Sequence, residues 1–139
     1  MNAVCEPLGL RLHNPGCIRA SSIEYVGEVH PSESILFKQF ETPVYGLRTI
    51  CMILKAYWAH DGVKTIREAI TRWAPPEDAN PTDAYVANAA RGCMVDADTP
   101  VMLSSVLRPL VRSIVTQECG TWPYSDELLD QAVSLSEEE

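Results

Sequence analysis

The spacing of apolar and polar positions predicts a mainly helical protein. Five segments, at about residues 43–60, 65–73, 82–92, 104–118 and 125–135, repeat apolar side chains every three or four positions, which is the spacing of one helix face. Thr42 and Pro43 suit the start of the first segment, Gly120 suits the end of the fourth, and Ser125 suits the start of the fifth. The pattern therefore predicts a compact cluster of helices.

The first forty residues show no helical period, and they predict an irregular N-terminal arm. His-Asn-Pro-Gly at 13–16 is a turn signal, and residues 32–40 predict a short extended piece. The length of 139 residues fits one domain over 1–139, with a core that needs neither metal nor disulfides and an acidic tail at about 134–139.

Composition limits the partners that we expect. The formal net charge is −8 and six acidic residues fall in the last fourteen positions, which argues against nucleic acid as the main partner. The longest apolar run, 50–57, is interrupted by Lys55 and is far too short to cross a bilayer, so no membrane partner is predicted.

The cysteines and histidines predict neither a disulfide framework nor a metal site. The five cysteines are odd in number and show no CxxC pair, which predicts reduced thiols and synthesis in a cytosol. His13, His30 and His60 lack the spacing of metal ligands, and no glycine-rich phosphate loop is present. We therefore expect no metal and no cofactor.

Glu118 is the strongest candidate for chemistry. It ends an apolar helical segment and precedes Cys-Gly-Thr-Trp-Pro-Tyr at 119–124. A carboxyl in partly dry, aromatic surroundings has a raised pKa and can donate a proton near neutral pH, as the cleavage of a glycosidic bond requires. The alternative is a surface glutamate at a helix end, a position that the helix dipole disfavours for a negative charge.

Several segments in a fixed order resemble a family of phage proteins, often described as virion structural proteins and related to lytic transglycosylases. The most specific segment is Arg-Trp-Ala-Pro-Pro at 72–76, and the others lie at 14–19, 40–48, 65–66, 85–86, 118–120 and 123–124. In addition, residues 117–123 are similar to the Gln-Glu-Ser-Gly-x-x-Pro segment that carries the catalytic glutamate of lytic transglycosylases. That segment comes early in those enzymes and last here, so the resemblance implies a lysozyme-like fold in circularly permuted order.

The resemblance also implies a function at the bacterial cell wall. Glu118 would protonate the glycosidic oxygen between N-acetylmuramic acid and N-acetylglucosamine, and would then act as a base. The protein would be made in the host cytoplasm and carried in the phage virion, with peptidoglycan glycan strands and other virion proteins as partners. The residues that would bind substrate in or near the cleft are Tyr85, Tyr124, Trp122, Asn14 and Arg19.

Two departures from the family pattern leave a second function open. Cys17 and Cys119 stand where the family usually has asparagine. A copy that keeps the fold but has lost catalysis would serve as a structural, tail or ejection component of the virion. An endolysin released at host lysis is disfavoured, because no cationic wall-binding module is present and the negative chain would repel an acidic wall.

Overall fold

A computed structural model describes residues 5–138 of the protein, with residues 5–7 described by their backbone alone. It confirms the prediction of a mainly helical protein, since the described residues form no named strand. A short 3₁₀ turn, Pro76–Asp78, joins the third and fourth helices. The helices are α1 (Cys5–Arg11), α2 (Pro43–His60), α3 (Ile66–Trp73), α4 (Thr82–Cys93), α5 (Leu103–Cys119) and α6 (Asp126–Ser136).

The core forms where the apolar faces of the predicted helices meet. Helix α2 packs on α5 and α6, and α4 packs on α3 and α5. Leu47, Ile50 and Leu54 of α2 are fully buried, as are Leu110 and Ile114 of α5. These residues lie three, four or seven positions apart, so each set covers one face of its helix. No helix in the described range is long and apolar enough to cross a bilayer.

Local signals fix most of the helix boundaries. Thr65 forms a capping box with Glu68 at the start of α3, and the Ser125 side chain accepts a hydrogen bond from the Leu128 amide at the start of α6. Gly120 ends α5 at φ +76°, a conformation that glycine adopts without strain. The threonine at the start of α4, Thr82, would suit a cap from its sequence position, but it lies inside the helix and donates its hydroxyl hydrogen to the Ala74 carbonyl at 2.7 Å.

The arm between α1 and α2 holds its shape through two isolated antiparallel bridges and a buried ion pair. The bridges join Arg19 with Phe37 and Glu28 with Phe40. Lys38 Nζ lies 3.1 Å from the Glu28 carboxylate, and both side chains are almost completely buried. Lys38 also donates to the Ile23 carbonyl at 2.7 Å, so polar contacts organise this irregular segment. Helix α1, which precedes the arm, was not predicted.

The arm lies directly against α2 because Gly46 has no side chain. A Cβ atom at Gly46 would be 2.1 Å from the carbonyl oxygen of His13 and 2.8 Å from the Pro15 side chain. Only glycine permits this approach of backbone to helix. The contact brings the segment from Gly16 to Arg19 beside the ends of α2, α3 and α5.

One prediction about the cysteines was wrong. Cys17 is disulfide-bonded, whereas the number and spacing of the cysteines predicted reduced thiols throughout. The odd number and irregular spacing of the cysteines gave no sign of a disulfide bond, because the pairing of cysteines depends on the folded structure. Cys51 and Cys93 are buried free thiols, and burial raises the pKa of each to about 11.

Candidate active site

A cleft of about 280 Å³ opens between the arm and the ends of α2, α3 and α5. Its lining mixes aromatic, cationic and carboxyl-bearing side chains, a composition suited to a polar ligand with flat apolar faces. The lining residues are Gly16, Cys17, Ile18, Arg19, Phe37, Ile53, Tyr57, Arg72, Trp73, Pro75, Asp78, Asn80 and Glu118.

Glu118 is the buried carboxyl of this cleft. The residue is only 3% exposed, and its Oε2 accepts a hydrogen bond from the Tyr85 hydroxyl at 3.0 Å. Burial raises the pKa of Glu118 to about 7, against the opposing effects of the hydrogen bonds from Tyr85 and Trp73. The carboxyl is therefore close to half protonated at neutral pH, so both the acid and the base form are available.

The periodicity of α5 explains why a carboxyl is buried at this position. Val111, Val115 and Glu118 follow one another at intervals of four and three residues, so Glu118 continues the buried face of the helix. Gly120 then ends the helix, and the last turn of α5 meets the arm. The backbone carbonyl of Glu118 lies 4.0 Å from the Cys17 sulfur, which shows how closely arm and helix approach.

The wall of the cleft is aromatic and carries a cation. The rings of Tyr57 and Trp73 meet edge to face, with centroids 6.5 Å apart. The Arg72 guanidinium lies 5.2 Å from the centre of the Tyr57 ring, and its Nη2 lies 3.3 Å from the Asp61 carboxylate. Burial raises the pKa of Tyr57 to about 12, so its hydroxyl stays neutral at any physiological pH.

The rim of the cleft includes the arm segment that contains Gly16 and Arg19. A Cβ atom at Gly16 would be 2.8 Å from the Ile50 side chain and 3.0 Å from the Trp73 ring, so the segment packs closely on both helices. Asn14 holds the segment from behind: its Nδ2 donates to the Ile18 and Lys38 carbonyls, each at 2.9 Å, and its Oδ1 accepts from the Ile18 amide.

The structure brings together some of the site residues predicted from the sequence. Glu118 and the exposed Arg19 both line the cleft. Tyr85 contacts Glu118 but is fully buried, and Asn14 is buried behind the rim. Neither residue is part of the cleft lining.

Trp122 and Tyr124 also lie outside the lining. Their rings meet edge to face with centroids 5.5 Å apart, and both pack against the helical core. The Arg112 guanidinium lies 5.1 Å from the centre of the Trp122 ring. These two aromatic residues therefore follow Glu118 in the sequence without forming the surface that faces the cleft.

The set of site residues predicted from the sequence did not include several residues that line the cleft. These residues lie near the end of α2, at the end of α3 and in the turn that follows α3. They are Tyr57, Arg72, Trp73, Asp78 and Asn80. The Arg-Trp-Ala-Pro-Pro segment was the available signal, since it was the most specific part of the family resemblance. Within residues 5–138, no three histidine, cysteine, aspartate or glutamate side chains are placed to hold a metal ion.

Fold and cleft together define a small helical protein with one buried carboxyl facing a cleft that contains arginines and aromatic rings. No family model matches the sequence. The chain is 30% identical over 124 residues to Protein P5 of Pseudoalteromonas phage PM2, an alignment that covers 86% of this chain and 76% of that protein. The chain therefore belongs to the family of this phage protein.

Proposed function

We propose that the protein cleaves the glycan strands of peptidoglycan, with Glu118 as the general acid and base. The observation that carries the proposal is a carboxyl that lines a cleft, is almost completely buried, and has a pKa of about 7. A group with this pKa can give a proton to a leaving oxygen and later take one up at neutral pH. The family relationship supports an origin in a phage, and we propose that the protein is carried in the virion and acts at the cell wall.

The mechanism follows from one carboxyl acting twice. Protonated Glu118 donates its proton to the oxygen that joins N-acetylmuramic acid to N-acetylglucosamine, and the bond between that oxygen and C1 of muramic acid breaks. The resulting Glu118 carboxylate then removes a proton from the group that attacks C1. In a lytic transglycosylase this group is the C6 hydroxyl of the same sugar, and in a muramidase it is water.

The cleft supports the binding of a sugar in a second way. Tyr57 and Trp73 present ring surfaces on the wall, and aromatic rings pack well against the apolar faces of sugar rings. Asn80 lines the cleft and is anchored by the hydrogen bond from its Nδ2 to the Pro75 carbonyl at 2.8 Å. Its Oδ1 makes no such bond within the described residues and is the atom that we assign to a sugar hydroxyl or acetamido group.

The decisive experiment compares wild-type protein with Glu118→Gln on purified peptidoglycan. We expect mass spectrometry to detect muropeptides released by the wild type. The Glu118→Gln variant should be at least about 100-fold slower, because a glutamine amide has no acidic proton to donate. Glu127→Gln is the matched control, since Glu127 is an exposed carboxyl in the first turn of α6. Anhydro ends on the products identify a transglycosylase, and reducing ends identify a muramidase. Folded wild-type protein that releases nothing would contradict the proposal.

Asp78 provides a test of the one-carboxyl mechanism. It is a second carboxyl in the cleft lining, on an exposed turn. If Glu118 acts alone, Asp78→Asn keeps most of the activity. A loss as large as that of Glu118→Gln would instead assign the protein to the glycosidases that use two carboxyls.

One observation favours a second candidate, a virion component without catalysis. Glu118 is 3% exposed and already bonded to Tyr85, so little of the carboxyl faces the cleft. A protein of this kind would associate stably with other virion proteins and keep that association in Glu118→Gln. Infectivity of phage that carries the Glu118→Gln substitution separates the two: full infectivity favours the structural component, and particles that assemble but fail to enter cells favour the enzyme.

A further inference from the structure

The cleft contains an arginine, Arg19, that lies close enough to Glu118 to lower its pKa but forms no close ion pair with it. Arg19 lies on the rim and is exposed. Among the residues that the structure describes, no carboxylate lies within 4.0 Å of its guanidinium, whereas four other arginines each pair with an aspartate. Those pairs are Arg67–Asp98, Arg72–Asp61, Arg108–Asp130 and Arg112–Asp126.

We propose that Arg19 makes the cleft selective for muramic acid residues that carry a carboxylate, by binding that carboxylate beside the sugar on which Glu118 acts. This inference rests on the proposed function, because it names the feature of peptidoglycan that the cleft recognises. A guanidinium binds a carboxylate through two parallel hydrogen bonds, and N-acetylglucosamine offers no carboxylate at all. The cleft would therefore distinguish peptidoglycan from neutral chitin-like glycans.

The charge of the whole protein makes a local cation necessary for such a ligand. The chain carries a formal net charge of −8, so a glycan strand with carboxylates is repelled by most of its surface. Protonated Glu118 is neutral, and among the described residues Asp78 is then the one negative group in the cleft lining, against Arg19 and Arg72. Because Asp61 pairs with Arg72, the cleft is close to neutral in the protonation state that donates a proton, and it is far less negative than the chain as a whole.

Arg72 is less suited to this role than Arg19. Its guanidinium is held against the Tyr57 ring at 5.2 Å and against the Asp61 carboxylate at 3.3 Å. A ligand carboxylate at Arg72 would have to compete with an acid at ion-pair distance, Asp61. The acid that acts on Arg19 is Glu118, which forms no close ion pair with it and is neutral in the protonation state that donates a proton. The segment that carries Arg19 is fixed by Asn14, so the arginine projects from a firmly held backbone.

The test measures binding to Glu118→Gln, which retains the cleft but does not consume the ligand. Three disaccharides of N-acetylglucosamine and N-acetylmuramic acid serve as probes: one with a free lactyl carboxylate, one with that carboxylate converted to a methyl amide, and one bearing the first two residues of the stem peptide. Calorimetry gives a dissociation constant for each. The first and third probes distinguish the two sources of a carboxylate in peptidoglycan.

Arg19→Gln is the test variant. The control is Arg108→Gln, because Arg108 is an exposed arginine in the first half of α5, away from the Glu118 end, and is not part of the cleft lining. We expect Arg19→Gln to weaken binding of at least one carboxylate probe by about 10- to 100-fold, the usual effect of a lost hydrogen bond to a charged group. Binding of the methyl amide should change less than about twofold. Equal weakening of all three probes, or no weakening, would overturn the inference.

The outcomes separate this inference from the proposed function. Selective binding that depends on Arg19, in a wild-type protein that releases no muropeptides, would support the inference and refute the cleavage. Cleavage of peptidoglycan that is equally fast in Arg19→Gln, together with equal binding of the amide and carboxylate probes, would refute the inference alone.

Discussion

The Tyr85 hydroxyl donates a hydrogen bond to Oε2 of Glu118 over 3.0 Å, and it does so inside the protein, between α4 and α5. The bond stabilises the ionised carboxylate, but burial opposes ionisation more strongly, and the pKa of Glu118 stays raised. Tyr85 also occupies one oxygen of the carboxyl.

Stability should depend on pH through Glu118. The pKa of this carboxyl rises from an ordinary value of 4.5 to about 7 on folding, so the folded state binds the proton more tightly. The contribution to the free energy of unfolding is fully present below pH 4.5 and is lost as the pH rises through about 7, by roughly 3 kcal/mol. Urea denaturation between pH 4 and pH 8 measures it.

Glu118→Gln is the control for this pH dependence, because it keeps the shape of the side chain and cannot ionise. The difference in unfolding free energy between the two proteins isolates the Glu118 titration, and it should move in favour of the Glu118→Gln variant as the pH rises. A difference that stays constant from pH 4 to pH 8 would mean that Glu118 titrates near its ordinary value.

Tyr85→Phe should raise the pKa of Glu118 further. The hydroxyl of Tyr85 lowers this pKa by bonding the ionised form, so its removal leaves burial less opposed. A carbon-13 NMR titration of the glutamate carboxyls reads the pKa directly. Tyr45→Phe is the matched control, since Tyr45 packs on the arm at Gly27, away from Glu118. A lower or unchanged pKa in Tyr85→Phe would contradict the assigned direction of the hydrogen bond.

Asn14→Ala should loosen the rim of the cleft. The change removes two donated hydrogen bonds and one accepted bond, and leaves buried backbone groups of Ile18 and Lys38 without partners. We expect a loss of about 1–3 kcal/mol in stability and faster hydrogen exchange at the Ile18 amide. Asn88→Ala, which removes two exposed side-chain hydrogen bonds, one to Gln117 and one from Arg91, should change neither by a comparable amount. Unchanged exchange at Ile18 would show that the rim holds its shape without Asn14.

Gly46→Ala should separate the arm from α2. The added Cβ would be 2.1 Å from the His13 carbonyl oxygen, and this backbone atom cannot move without shifting the arm. We therefore expect the free energy of unfolding to fall by about 1–3 kcal/mol or more, with a lower Tm. Gly92→Ala is a comparison within α4, where the nearest atom is the Ser113 hydroxyl oxygen at 2.5 Å. That hydroxyl can rotate away, and alanine favours the helix, so Gly92→Ala should cost less. Equal losses would argue against the close approach at Gly46.

Helical periodicity predicted α2 to α6 well because each of these helices buries one continuous apolar face. The same signal identified Glu118 only as the end of such a face. It could not show that Tyr57 and Trp73 meet across two helices, because that contact depends on how α2 and α3 pack. The family resemblance implied that Trp122 and Tyr124 bind substrate, yet the turn after Gly120 places them outside the cleft lining.

The arm was the least predictable part of the structure, for a physical reason. Its shape depends on polar contacts between residues far apart in the sequence, such as the Lys38–Glu28 ion pair and the Asn14–Lys38 hydrogen bond. Neither contact has a periodic signature. The disulfide bond of Cys17 likewise has no periodic signature and was not predicted.

The distance along the chain between the two sides of the cleft has a consequence for synthesis. Cys17 on the rim and Glu118 are 101 positions apart in the sequence. During synthesis, the rim segment therefore leaves the ribosome long before Glu118 is added to the chain. A nascent chain that stops before α5 has neither the acid nor the surface against which the arm packs. Any activity of this cleft therefore starts only after translation has passed α5.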